Sequence, residues 1–134
     1  MYKKIDLKQR ITQEVADFLK NELLSVELII IFGSFITKHF DPQHSDIDIA
    51  FLNADILSDV QRWNIQEKLA SRLNRDIDLV DLQTCNDVLK LEIVHHGQII
   101  YQQASLKTEQ FLDNAYINYI QLNEDRAEIL EHYS

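Results

Sequence analysis

The spacing of apolar positions changes several times along this chain, and each change marks an element. In 5-IDLKQRITQEVADFLKNELL-24, Ile11, Val15, Phe18 and Leu19 recur near helical spacing, with Asp6 placed to cap the first turn. An amphipathic helix is predicted. The next run, 26-VELIIIFG-33, is β-branched and mostly apolar, as an internal strand is, and it ends at a glycine that permits a tight turn or close ligand approach. Residues 45-SDIDIAFL-52 alternate sharply and predict a second strand. The helical period returns in 54-ADILSDVQRWNIQEKLASRLN-74 through Ile56 or Leu57, Val60, Trp63, Ile65, Leu69 and Leu73, with Asn74 near the exit. A third strand follows in 75-RDIDLVDLQ-83, where Ile77, Leu79 and Asp81 share one face and Asp76, Asp78 and Val80 the other.

Asn86 is placed to cap a short helix in 86-NDVLKLEIVHHGQ-98 that stops near Gly97, and 99-IIYQQ-103 reads as a short edge strand or an extended exit. The tail, 105–133, carries a long helical pattern through Leu106, Phe111, Ala115, Ile117, Ile120, Leu122, Ala127 and Leu130. Its imperfect register implies a bend or a packing partner, so the segment packs on the domain or on another protein. Strands separated by helices predict a single α/β (α+β) domain over residues 1–134, with helices flanking a small sheet.

Composition narrows the function. An apolar content of 46% in 134 residues supports one core without disulfide staples. Cys85 is the sole cysteine, which excludes an intrachain disulfide and a multi-cysteine zinc site and fits a reducing, cytoplasmic setting. "MYKKIDLKQR" lacks the apolar stretch of a signal peptide, and "VELIIIF" is too short to span a bilayer as a helix, so no membrane partner is expected. The formal charge of −9 opposes direct nucleic-acid binding. An anionic nucleotide substrate would need local help, such as a divalent cation.

The candidate chemistry lies in 32-FGSFITKHFDPQHSDIDIAFL-52. Residues two apart on a strand share a face with Cα atoms roughly 6 to 7 Å apart, so Asp46 and Asp48 converge while Ile47 and Ile49 enter the opposing core. A neighbouring strand would bring Asp78 beside them, with Asp76 as a nearby substitute. Three adjacent carboxylates repel, and Mg²⁺ or Mn²⁺ with hard oxygen ligands would relieve the repulsion while bridging substrate phosphates. Gly33 exposes its backbone to a β- or γ-phosphate and Ser34 offers a hydroxyl. Lys38 is either a surface charge or a phosphate contact, and His39 and His44 read as polar loop residues.

Gly33 and Ser34, a variable turn, Asp46-x-Asp48 and a later Asp78 in "IDLVDL" resemble the hallmark of the minimal nucleotidyltransferases of the DNA polymerase beta-like superfamily. The resemblance continues through "VLKLEIVHHGQIIY" and covers roughly residues 26 to 102. It implies the nucleotidyltransferase fold, built on a small mixed β-sheet. Within that superfamily the chain is most similar to MntA-type antitoxins, which are paired with HEPN-domain ribonuclease toxins. The resemblance implies transfer of AMP from ATP to a tyrosine hydroxyl of a cognate HEPN toxin in a hetero-oligomer, with release of pyrophosphate. Gly33 and Ser34 would hold the triphosphate, Asp46 and Asp48 the metals, and Asp78 one metal beside the tyrosine oxygen. The turn "FITKHFDPQHS" is one residue longer than in many relatives, and Lys38 stands where they often have glycine. The alternatives are an antitoxin that inhibits by contact alone and nucleotide transfer to a small molecule or nucleic acid.

Overall fold

The computed structural model describes residues 6–132, and the side chains of 6–129. Helix α1 (Leu7–Glu22) is capped by the Asp6 side chain, which accepts from the Lys8 amide. Strand β1 (Val26–Phe32) runs into a 3₁₀ turn at Gly33–Ile36, and β2 (Ile47–Asn53) returns antiparallel to it. Helix α2 (Asp59–Leu73) then crosses to β3 (Ile77–Asp81), which lies parallel to β2. Helix α3 (Asp87–His96), capped by Asn86, leads to β4 (Gln98–Gln102), antiparallel to β1, and α4 (Leu106–His132) closes the chain. The sheet is mixed, in the order β3-β2-β1-β4. The start of the first predicted helix at Ile5 and the end of the last at Tyr133 lie outside the described residues.

Alternation gives the sheet two apolar faces. Ile29 and Ile31, Ile47, Ile49 and Phe51, and Ile77 and Leu79 pack with Ile11, Val15 and Leu19 of α1 and Ile65 and Leu69 of α2. On the opposite face, Leu28, Ile30, Ala50 and Leu52 meet Ile93 of α3 and Phe111 and Leu112 of α4. Burial of each large aliphatic side chain contributes about 1.5–3 kcal/mol, so the continuous run in β1 is explained by a central strand covered on both sides.

A register shift between Val26 and Leu28 marks an irregularity at Glu27. The Glu27 carboxylate accepts from the hydroxyls of Ser105 (2.7 Å) and Thr108 (2.9 Å), which ties the start of α4 to the sheet.

Two helices differ from the sequence expectation. Helix α2 begins only at Asp59, where Ser58 and Gln61 form a capping box; Val60 and Trp63 are exposed rather than part of the packed stripe, and of Ile56 and Leu57 it is Leu57 that packs on the core. The cap sets the helix start and hence its buried face, which is carried by Ile65 and Leu69. In α4, Ala115 is buried and Phe111 and Leu112 pack on the second core, whereas Leu106, Ile117 and Ile120 are exposed.

Candidate active site

The predicted carboxylates gather at one edge of the fold, where β1 ends and the parallel strands β2 and β3 begin. Asp48 is paired in register with Phe32 of β1 on one side and with Asp78 of β3 on the other. Its neighbours Ile47 and Ile49 are fully buried in the α1/α2 core, so the strand is pinned while Asp48 projects from the opposite face. Asp46 immediately precedes β2 and shares that alternation phase.

Gly33 explains why a glycine ends β1. Its φ is +74°, a left-handed conformation costly for residues with a side chain, and an added Cβ would overlap Asp48 Oδ2 and lie 3.2 Å from Asp48 Cγ. The Asp48 carboxylate therefore rests against the Gly33 backbone. Partial burial raises the Asp48 pKa first, and the charges of Asp78 and Asp46 raise it further. The charges of Asp78 and Asp46 are thus felt at Asp48. The three carboxylates do not form a closed cage: among the described residues, no group of three His, Cys, Asp or Glu side chains is arranged to hold an ion.

The turn between the glycine and the carboxylates is tied at both ends. Ser34 O accepts from the amide and the hydroxyl of Thr37, and Lys8 Nζ donates to Thr37 O at 2.9 Å. The Ser34 hydroxyl itself has no hydrogen-bond partner among the described residues. Farther on, Asp41 accepts from the Gln43 amide and the Ser45 amide bonds back to Asp41 O, closing a loop just before Asp46. Phe40 meets Phe35 edge-on at 4.9 Å and lies beneath two cations, Arg75 at 5.3 Å and Lys8 at 5.5 Å. Lys38 is exposed on this turn.

Residues 13–106 match the family described as Polymerase beta, Nucleotidyltransferase. The chain belongs to that family. As a nucleotidyltransferase it is 39% identical over 90 residues to the protein adenylyltransferase MntA of Shewanella oneidensis, an alignment that spans 66% of this chain and 63% of that relative. Its fold matches a solved MntA–HepT toxin–antitoxin complex with a TM-score of 0.70 at 31% identity, covering 93% of this chain and 97% of the other. A solved complex of a tri-AMPylated Shewanella oneidensis HEPN toxin with an MNT antitoxin gives a TM-score of 0.73 at 31% identity, over 95% and 98% of the two chains. A toxin–antitoxin structure with AMP-PNP gives 0.70 at 32% identity, over 91% and 97%.

Two cavities beside these residues had no marker in the sequence. One is a mostly apolar cavity of about 520 Å³ beside Gly33, walled by Phe32, Ile36, Leu89 and Ile93 with Thr37, Glu92 and His96. The other is a polar cavity of about 280 Å³ on the β3 side, lined by His44, Ser45, Asp46, Asn74, Arg75 and Asp76 among others. Both join residues far apart in the chain, which periodicity does not connect.

Proposed function

We propose that this protein is an antitoxin that transfers AMP from ATP to a tyrosine of a cognate HEPN-domain toxin and so neutralises it. The observation that carries the reading is Asp48 seated between Gly33 and Asp78, which sets a phosphate-approachable backbone beside opposed carboxylates. The similarity to MntA, and to solved complexes of toxin and antitoxin with AMP-PNP or with AMP groups on the toxin, supports the donor and the acceptor. Because the MntA alignment spans 63% of that relative, activity and partner are inferences from shared architecture.

The chemistry of the donors suits a hard divalent cation, since carboxylate oxygens crowd at Asp48, while among the described residues no three such side chains are gathered to hold an ion by themselves, so substrate and water would have to supply further oxygens. Asp46, Asp48 and Asp78 would hold Mg²⁺ or Mn²⁺, which supplies positive charge against their repulsion and against charge on the transferred phosphoryl group. Gly33 and Ser34 hold the triphosphate, Ser34 through its unpartnered hydroxyl, and Lys38 contacts a terminal phosphate. Asp78 accepts a hydrogen bond from the incoming tyrosine hydroxyl. The tyrosine oxygen bonds to the α-phosphorus as the bond to the β-phosphate bridge breaks; pyrophosphate leaves and the hydroxyl proton passes to solvent. Positioning for in-line attack accounts for most of what these residues contribute.

Inhibition by contact is the second reading, favoured by the exposed Tyr116, Ile117 and Ile120 on α4. Toxin RNA cleavage separates the two. With ATP, neutralisation is expected to persist after the proteins are separated. With α,β-methylene-ATP, whose α–β bridge does not break, it should disappear on separation. Equal, nucleotide-independent inhibition would establish contact and overturn transfer. No described helix is long and apolar enough to cross a membrane.

A further inference from the structure

The polar cavity on the β3 side has a place in the reaction. In an in-line displacement the leaving pyrophosphate and the attacking hydroxyl stand on opposite sides of the α-phosphorus. With the triphosphate toward Gly33 at the end of β1, as proposed above, the sheet order β3-β2-β1 puts the opposite side at β3. The cavity lined by Asp46, Asn74, Arg75 and Asp76 opens there, so it lies on the path of the acceptor.

Arg75 gives this cavity a preference. Its guanidinium sits over the Phe40 ring at 5.3 Å, and among the described residues it forms no ion pair, although Asp46 and Asp76 line the same cavity. The contact with the ring face steadies the guanidinium, and its N–H donors, which have no partner among the described residues, suit a bidentate anion. Tyrosine is neutral and has no use for this cation. A tyrosine that already carries AMP presents a phosphodiester one ribose away from its free hydroxyls.

We infer that this cavity is the acceptor subsite and that Arg75, held by Phe40, binds the phosphodiester of an AMP already attached, favouring repeated transfer. This rests on the adenylyltransferase reading above. In the second transfer a ribose hydroxyl of the attached AMP bonds to the α-phosphorus of a new ATP, the α–β bridge breaks, pyrophosphate leaves and the proton passes to solvent. Asp76, which lines the same cavity, would accept from the remaining ribose hydroxyl. The tri-AMPylated toxin in a similar complex has the type of product such a subsite would favour.

The test follows the intact mass of cognate HEPN toxin over time with ATP and Mg²⁺, comparing wild type with Arg75→Gln and Arg75→Lys. For Arg75→Gln, the first AMP should be added within about threefold of the wild-type rate, while the second slows by at least about tenfold, a loss equivalent to one charge-assisted contact. Arg75→Lys should recover part of the second step, and raised salt should slow the second step of wild type more than the first. Equal slowing of both steps would assign Arg75 to folding or donor binding and overturn the inference, as would unchanged second-step rates or a wild-type product that stops at one AMP. Absence of any AMP on the toxin with wild type would instead overturn the adenylyltransferase reading itself.

Discussion

Asp48 and Asp78 stand directly opposite each other on the parallel strands β2 and β3, each one residue inside the start of its strand. Adjacent strands lie about 4.8 Å apart, so two carboxylates in this register repel unless something between them carries positive charge. Burial adds to the penalty at Asp48, whose pKa is raised.

That penalty has a sign that can be measured. A carboxyl raised in the folded state favours the protonated form there, so in EDTA the contribution of Asp48 to stability is greatest below the ordinary carboxylate pKa. It declines as pH rises through that value to the raised one and is level above it. Asp48→Asn removes the charge, and in EDTA at pH 7 it should raise the melting temperature while abolishing AMP transfer. Thermal melts of both proteins from below the ordinary carboxylate value of 3.8 up to neutral pH check this; a lower melting temperature for the variant throughout would contradict it.

Gly33→Ala combines two costs. The left-handed φ of +74° costs a residue with a side chain about 1–2 kcal/mol, and the new methyl must displace the Asp48 carboxylate. Stability should fall by at least that amount in urea titrations. Transfer should fall by about a hundredfold or more, the scale seen when a catalytic group is misplaced by an ångström.

The reading of the chain succeeded where one period or one cap decided the outcome. Strict alternation placed Asp46, Asp48 and Asp78 on one face with Ile47, Ile49 and Ile77 on the other, and Asp6, Asn74 and Asn86 all act at helix ends. It failed at Val60 and Trp63, because apolar residues at helical spacing look alike whether the core or solvent lies beside them, whereas of the pair Ile56 or Leu57 it is Leu57 that packs on the core. The contact of Gly33 with Asp48 and the placement of Arg75 over Phe40 depend on how strands and turns meet, which local patterns do not encode. The longer turn before Asp46 is accommodated by its own hydrogen bonds between Asp41 and Ser45 and by Phe40 packed on Phe35.

Thr108 is fully buried, and its hydroxyl donates to Glu27 beside that of Ser105. Thr108→Val keeps the shape and removes one donor to a partly buried carboxylate, which should cost about 1–3 kcal/mol. The midpoint of urea unfolding measures this. The loss should leave the ATP affinity of the folded protein unchanged, because the network lies at the opposite end of β1 from Gly33.

Ile117 is 62% exposed on α4 beside Tyr116, away from the residues that pack on the core. If this face meets the toxin, Ile117→Glu should weaken toxin binding at least tenfold by calorimetry. The stability of the isolated protein should change by no more than about 0.5 kcal/mol, as for an ordinary surface substitution.

AMP transfer to a toxin by the carboxylates beside Gly33 is what the proposed function requires. It is tested most directly by the intact mass of cognate HEPN toxin after incubation with this protein, ATP and Mg²⁺, alongside the Asp46→Asn/Asp48→Asn double variant. AMP-sized mass additions on a toxin tyrosine are expected with wild type and none with the double variant. An unmodified toxin with the wild-type protein, or equal modification by the double variant, would contradict it.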